Sequence, residues 1–212
     1  MSEIIDSQMA ESREFKTLAF PIQFEFKIGT LANDFIATDG NGSTLAYVRQ
    51  KMFKFKEDIT IYSNDKKENI LYTIKADRII DFNACYAFYN EDGDEFGKVG
   101  RKGMKSLWKA NYEIFDDNNE QEYTIKEENP FAKVCDVLLG EIPLLGIFTG
   151  YLFNPRYAIT NKKGEKVAQL KKEASFWGRK FKLTKEADFE NEDEERMMLA
   201  LMMMSLLERR RG

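Results

Sequence analysis

Hydrophobic and polar residues alternate along this chain in short segments separated by turns that contain glycine. Three segments share one plan, FIATDGNG at 35–42, YAFYNEDG at 86–93 and YAITNKKG at 157–164. Each opens with an aromatic residue at the head of a strand and closes on a glycine suited to a hairpin turn with positive φ. A second strand follows each glycine, and basic residues lie at the end of that strand. The pattern therefore predicts an internal repeat of β-hairpins.

Further strand-like segments follow each hairpin, among them DITIYS and NILYTIK in the first unit, NYEIFDD and QEYTIKE in the second, and RKFKLTK in the third. Three units of about four strands predict a mainly β fold of about 12 antiparallel strands, as a sandwich or barrel. The first residues do not follow this pattern. We interpret residues 1–19 as an N-terminal extension and residues 20–212 as a single domain.

An apolar stretch at 134–153, VCDVLLGEIPLLGIFTGYLF, interrupts the repeat between its second and third units. Its charge-free part, 142–153, is too short to span a bilayer, which requires about 20 residues. One hypothesis is a loop that contacts a membrane or a partner through Leu144, Leu145, Phe148 and Phe153. A segment that caps the barrel or packs beneath the sheet is favoured over it, since soluble monomers seldom expose large apolar patches. An oligomer contact is a third interpretation.

The segment 197–207, MMLALMMMSLL, is apolar at every position except Ser205. A helix that is apolar on all sides belongs inside a protein core. Acidic residues precede it and Arg209, Arg210 and Arg211 follow, which complements the helix dipole at both ends. Twelve strands enclose more space than side chains alone can fill, because eight strands already make a filled interior. The pattern predicts a central helix at 196–209.

The chain contains no histidine. This excludes Ser-His-Asp and Cys-His triads and metal sites built on imidazole. Glycine-rich nucleotide loops and the serine-hydrolase elbow are absent, and Cys85 and Cys135 lack the spacing of metal ligands. We therefore predict a protein that is not an enzyme and uses no metal or other cofactor. The N-terminus does not read as a signal peptide, so we expect a cytoplasmic protein.

Charge is distributed unevenly, although the net charge is only -4. Basic residues concentrate at 98–109 and 154–185. The candidate contacts to anionic lipid are Lys98, Arg101, Lys102, Lys171, Lys172, Arg179 and Lys180. The alternative, which is the more common arrangement, is that these bases pair with acids on opposed strands. A nucleic-acid role for the aromatic and basic run at 175–185 is disfavoured by the sequence pI of about 5.2.

Several features in order resemble the tubby-like superfamily, in particular its LURP-one-related and phospholipid-scramblase-like branch. They are YVRQKMFKFKEDITIY at 47–62, the repeated units, LLGEIPLLGIFTGYLFNPRY at 138–157 and the closing apolar helix. The resemblance covers about residues 20–208 and implies a twelve-stranded antiparallel barrel around a C-terminal helix. Functions among such relatives include phosphoinositide binding, membrane tethering and proposed lipid scrambling. The sequence lacks the Pro-rich N-terminal region and cysteine cluster of eukaryotic scramblases, which disfavours scrambling.

We therefore expect a non-catalytic lipid- or membrane-associated module that contacts anionic phospholipid peripherally. The alternative is a domain that serves as a protein-interaction scaffold and has no lipid role. In the first case the partner is a membrane surface, and in the second it is another protein.

Overall fold

The computed structural model describes residue 15 and residues 18–27, 34–50, 58–77, 84–102, 111–128, 155–173, 180–188 and 191–209. These residues form a closed antiparallel barrel of twelve strands and one helix, which confirms the predicted fold. The strands are β1 (Ile22–Phe26), β2 (Phe35–Thr38), β3 (Thr44–Gln50), β4 (Asp58–Tyr62), β5 (Ile70–Asp77), β6 (Ala84–Tyr89), β7 (Glu95–Arg101), β8 (Asn111–Asp116), β9 (Gln121–Glu127), β10 (Arg156–Asn161), β11 (Lys166–Glu173) and β12 (Lys180–Lys185). The helix is α1 (Asn191–Arg209).

The strand order explains how the three repeats close into a barrel. Each strand from β2 to β12 pairs with its neighbours in sequence, and β1 pairs with both β12 and β2. The first repeat is β2–β5 and the second is β6–β9. The third repeat contributes only β10–β12 from its own stretch of chain, and β1 from the N-terminal part supplies its fourth strand.

The three repeat hairpins have the same geometry. Gly42, Gly93 and Gly164 have φ values of 83°, 89° and 82°. Each glycine N–H donates to the carbonyl oxygen three residues earlier, at 3.0, 3.2 and 3.0 Å respectively. A residue with a Cβ is disfavoured at such φ values, so the predicted role of these glycines is confirmed.

Buried residues alternate with less buried ones in β1, β2, β10 and β12, and the buried side chains of the strands form one core cluster with those of α1. The residues from Met197 to Met204 are at most 1% exposed, so the helix occupies the centre of the barrel. It begins at Asn191, earlier than the predicted 196, because the acidic residues of its first turn extend it toward one end of the barrel. Phe15, inside the predicted extension, is also buried and its ring centroid lies 4.9 Å from that of Tyr72.

The two ends of the barrel differ in how the strands are joined. One end carries the short turns at 39–43, 63–69, 90–94, 117–120 and 162–165, and we call it the hairpin end. At the opposite end, strands are joined by segments that contain 28–33, 51–57, 78–83, 103–110, 129–154 and 174–179, and we call it the connection end. Those six segments, including the apolar stretch 134–153, lie outside the described residues.

Candidate functional site

Most of the bases singled out in the sequence come together at the connection end. Arg101 and Lys102 lie where β7 ends, Lys171 and Lys172 lie near the end of β11, and Lys180 begins β12. Apart from Lys98, the remaining candidates lie outside the described residues, in segments whose flanking strands end or begin at this same end. They are Arg179, Leu144, Leu145, Phe148 and Phe153.

Lys98 has a different environment from the other candidate bases. It lies in the middle of β7, is 7% exposed, and its Nζ is 3.3 Å from Oε1 of Glu95, which begins the same strand at the hairpin end. The Lys98 ammonium is therefore paired with an acid of its own strand and does not contribute charge to the connection end.

Two candidate bases form ion pairs across neighbouring strands. Lys102 Nζ is 2.9 Å from Glu113 Oε1, and Lys180 Nζ is 2.9 Å from Glu25 Oε2. The lysine side chains are 56% and 38% exposed, so each pair contributes at most about 1 kcal/mol to stability. The cross-strand pairing considered from the sequence is thus observed for these two bases.

Two other candidates, Arg101 and Lys172, point toward the mouth of the barrel. Arg101 follows the inward-facing Val99 by two residues, and its guanidinium carbon lies 6.0 Å from the centroid of the Tyr112 ring. Lys172 is the Cα partner of Phe181, which is 3% exposed. These two cations line the opening of the connection end.

A polar layer lies just inside that opening, where the apolar helix ends. Tyr112 donates a hydrogen bond to Oε1 of Glu208 at 2.9 Å, and Tyr157 donates to Oε2 of the same carboxylate at 3.5 Å. Burial raises the pKa of Tyr157 above its ordinary range, and the charges of Glu208 and Glu127 raise it further. The Tyr157 phenol therefore remains a donor at neutral pH, and the two hydrogen bonds hold the last turn of α1 in place.

The outer wall beside the connection end carries a row of three bases, which sequence reasoning found only in part. Arg156, Lys171 and Lys182 are Cα partners on β10, β11 and β12, and we call them the basic row. Their strand neighbours Tyr157 and Leu170 are buried, so the basic row faces outward. The described part of the chain contains no ion-pair partner for these three. Arg156 and Lys182 were missed because the sequence does not give the register that aligns them with Lys171.

The hairpin end is closed by a network of buried charges around Arg196. Its Nε and Nη2 each lie 2.8 Å from Glu122, and Nη2 also lies 2.8 Å from Asp193. Tyr123 donates to the other Asp193 oxygen at 2.6 Å. A Cβ on Gly97 would stand 2.7 Å from Arg196 Cδ, so glycine leaves the space that the guanidinium stem requires.

The ion pairs also control the protonation of this network. Burial lowers the pKa of Arg196, but the hydrogen bonds and charges of Glu122 and Asp193 raise it overall. Burial raises the pKa of Tyr123 above its ordinary range, and Asp193 raises it further. The first turn of α1 is therefore held by a fully charged arginine and a protonated phenol.

No three Cys, Asp or Glu side chains lie close enough to hold a metal ion in the described parts of the chain. None of the helical structure described is both long and apolar enough to cross a membrane.

The family model for LURP-one-related proteins matches residues 44–204. No curated protein matches the chain. Among solved structures, a porin-like protein from Bacteroides uniformis ATCC 8492 is similar at 8% identity with a TM-score of 0.23, over 82% of this chain and 100% of that chain. A similarity this low supports no inference about fold or function.

Proposed function

The chain belongs to the LURP-one-related family, within the tubby-like superfamily, and we propose that it is a non-catalytic module that binds anionic phospholipid surfaces peripherally. The connection end would face the lipid. One observation supports this most. Arg101, Lys171 and Lys172 lie at the end of the barrel where β9 ends and β10 begins, and these two strands flank the apolar stretch 134–153.

The expected energies suit a weak and reversible contact. A base close to an anionic membrane contributes about 1 kcal/mol, so three bases contribute about 3 kcal/mol. Partial burial of apolar side chains such as Leu144 and Phe148 adds to this, since each would contribute about 1.5–3 kcal/mol if fully removed from water. Both contributions are needed, because a net charge of -4 opposes the approach to an anionic surface.

The five turns of the hairpin end contain nine acids and four bases, so their net charge is negative. Lys162 lies 3.2 Å from Glu120, Lys166 lies 3.0 Å from Glu128, and Lys185 lies 3.0 Å from Glu194. The charges of these three bases are offset locally, so attraction to an anionic surface favours the opposite end.

Sedimentation with vesicles tests this function. We expect the protein to sediment with vesicles that contain phosphatidylglycerol at low salt, to be released by high salt, and to remain in solution with neutral phosphatidylcholine vesicles. A Leu144→Ser/Phe148→Ser variant should bind anionic vesicles more weakly while unfolding at the same temperature. Equal and negligible sedimentation with both kinds of vesicle at low salt would exclude the lipid function.

The second candidate is a protein-interaction scaffold with no lipid role. The pairs Lys102–Glu113 and Lys180–Glu25 favour it, because they reduce the free positive charge at the connection end. A scaffold predicts that salt and vesicle composition have no effect on sedimentation. The vesicle experiment therefore separates the two functions.

A further inference from the structure

We propose that the hairpin end of the barrel contains a docking site for an extended protein segment that carries an aromatic residue between basic residues. The chain's own residues 1–20, which we call the N-terminal arm, occupy this site in the structure through Phe15. The site lies at the end of the barrel opposite to the proposed lipid contact and its partner is a protein, so it goes beyond the proposed function.

The site is a group of aromatic side chains, Tyr72, Phe88 and Phe96, which we call the aromatic socket. Phe15 is 8% exposed, and its ring centroid lies 4.9 Å from that of Tyr72. The Tyr72 and Phe96 centroids are 5.5 Å apart, and those of Phe96 and Phe88 are 6.4 Å apart. Phe96 remains partly exposed with Phe15 in place, so the socket reaches the surface of the barrel.

The second repeat shows that the position of Tyr72 is covered in a different way there. Residues 72–75 and 123–126 both read YTIK, and Tyr72 and Tyr123 are each the third residue of their strand, β5 and β9. Tyr123 donates a hydrogen bond to Asp193 in the first turn of α1. The helix thus covers the tyrosine of the second repeat, and the N-terminal arm covers the equivalent tyrosine of the first.

The N-terminal arm is not part of the closed sheet, which begins with β1 at Ile22. The arm lies against the turn 39–43, where Gly40 N donates to Ala19 O at 2.6 Å. A Cβ on Gly40 would stand 2.7 Å from Phe20 O, so glycine permits this close approach. Terminal segments open at a lower free energy than core strands. Release of the arm would therefore expose the socket and leave the twelve strands paired.

The charge around the socket indicates the kind of partner that fits it. The turns 63–69 and 90–94 lead into β5 and β7, the strands that contain Tyr72 and Phe96, and together they contain five acids and two bases. A segment with bases on both sides of an aromatic residue would be attracted to these turns while its ring fills the socket.

The N-terminal arm supplies the aromatic residue without this charge. It contains four acids and two bases. Arg13 and Lys16 are near Phe15 in the sequence, but Glu11 and Glu14 offset them. A partner segment in which bases replace these acids would therefore compete with the arm for the socket.

A second copy of the chain fits the site less well than a basic partner. Two chains that exchanged their arms would bring two hairpin ends together, and the five turns of each contain nine acids and four bases. Like charges that face each other across an interface disfavour association. The charge of the hairpin end therefore favours a partner of different sequence.

Binding of synthetic peptides to the full-length chain tests the socket. The probe is a fluorescein-labelled peptide of residues 9–20 that carries Glu11→Lys and Glu14→Lys. Phe15→Ser in the full-length chain removes the competing side chain, so we expect this variant to bind the probe about tenfold more tightly than the parent does. A probe that also carries Phe15→Ser has the same charge and should bind the variant more weakly. Fluorescence anisotropy measures each affinity.

Two further variants make the result specific. Ile70→Ser removes an exposed apolar side chain from the hairpin end and should bind the probe as weakly as the parent. Phe15→Ser/Phe96→Ser also alters the socket and should lose the affinity gained by Phe15→Ser. Thermal unfolding establishes that each variant is folded. If Phe15→Ser does not fold, the parent provides the test, since it should still bind the probe more tightly than the probe that carries Phe15→Ser.

The remaining outcomes decide the charge and the partner. The unsubstituted peptide of residues 9–20 should bind Phe15→Ser more weakly than the probe at low salt, and high salt should reduce the difference. Equal affinity of these two peptides at low salt would overturn the basic partner. Equal affinity of the probes with and without Phe15 would overturn the socket. A dimer of the parent in sedimentation velocity that Phe15→Ser abolishes would assign the socket to a second copy and overturn a partner of different sequence.

Discussion

The hairpin end and the connection end of the barrel use their charged residues in opposite ways. At the hairpin end, Arg196 is 8% exposed and binds two carboxylates of the fold, so charge serves to seat the helix. At the connection end, the outward-facing Lys171 lies between two further bases and pairs with no acid in the described part of the chain. The buried Arg196 thus lies at one end of the barrel, and the outward-facing bases of the third repeat lie at the other.

The closure of the third repeat explains why the helix enters where it does. The first and second repeats have a covalent turn between their third and fourth strands, at 63–69 and 117–120. In the third repeat, the neighbour of β12 is β1 from the other end of the chain, so no turn joins them. The chain that leaves β12 is therefore free to pass into the barrel as α1.

The largest expected effect comes from the central helix α1, which runs between the two ends of the barrel. Leu201 is 0% exposed, so Leu201→Asp would bury an unpaired carboxylate, and we expect the protein not to fold. Leu201→Met, which preserves volume and hydrophobicity, should lower the free energy of unfolding by less than about 1.5 kcal/mol. Circular dichroism and thermal unfolding measure both. A soluble Leu201→Asp variant with unchanged stability would contradict the buried central helix.

The contacts of Arg196 with Glu122 and Asp193 at the hairpin end, which we call the clamp, should give the next largest effect. Arg196→Met leaves Glu122 and Asp193 without their partner, and removal of one member of a buried pair typically destabilises by about 3–5 kcal/mol. Urea unfolding gives the difference. The matched control is Lys162→Met, which breaks an exposed pair with Glu120 at the same end and should change stability by less than about 1 kcal/mol. Similar effects of the two substitutions would show that the clamp does not hold the helix.

Much of this architecture could be predicted from residue patterns. The glycines at 42, 93 and 164 need positive φ and reveal the repeat, and the apolar run at 197–207 has no stable place except a core. The basic row could not be predicted, because it depends on which residue of β10 faces which residue of β11 and β12. A register shift between Ile159 and Thr160 further alters the pairing within the hairpin, and local sequence does not specify it.

The origin of the fourth strand of the third repeat was also outside the reach of the sequence pattern. The segment 22–26 lies far along the chain from β12, and its pairing follows from barrel closure. The Arg196 clamp is similar, since Glu122 and Arg196 are distant in sequence and meet only because α1 enters at the hairpin end.

High pH should lower the free energy of unfolding through tyrosines at both ends of the barrel. The effect should be smaller than that of losing the clamp. Burial raises the pKa of Tyr47 to about 12, with Asp34 adding to the shift, and burial also raises the pKa of Tyr123 and Tyr157. An unfolded tyrosine loses its proton near pH 10. Above that pH the folded state binds more protons than the unfolded state, so stability is full below about pH 10 and falls as pH rises.

Urea unfolding across this alkaline range measures the effect. The raised pKa values of Lys166 and Lys185 act in the same direction, since their acidic partners outweigh the effect of burial. Tyr157→Phe at the connection end and Tyr123→Phe at the hairpin end should each make the alkaline decline shallower. If stability declines as steeply in both variants as in the parent protein, other groups cause the pH dependence.

The smallest effect on stability should come from the basic row. Lys171→Thr removes the central base, and because like charges opposite each other destabilise by a few tenths of a kcal/mol to about 1 kcal/mol, the variant should be slightly more stable at low salt. High salt should abolish the gain. Lys162→Thr at the hairpin end, which removes a paired base, should not be stabilising. A loss of stability in Lys171→Thr would indicate that Lys171 supports the fold.

A fluorophore placed at either end of the barrel tests whether the connection end is the end that meets the lipid. Glu173→Cys on β11 and Asp117→Cys in the β8–β9 turn each remove one acid, at the connection end and the hairpin end respectively. Both are made in a Cys135→Ser background. Cys85 is 2% exposed and burial raises the pKa of its thiol to about 11, so it should not compete for label.

The measurement is the emission of an environment-sensitive dye at each cysteine as vesicles that contain phosphatidylglycerol are added at low salt. We predict a blue shift and an increase in intensity for the dye at position 173, with no change at position 117. The opposite pattern, or an equal response at both positions, would contradict it.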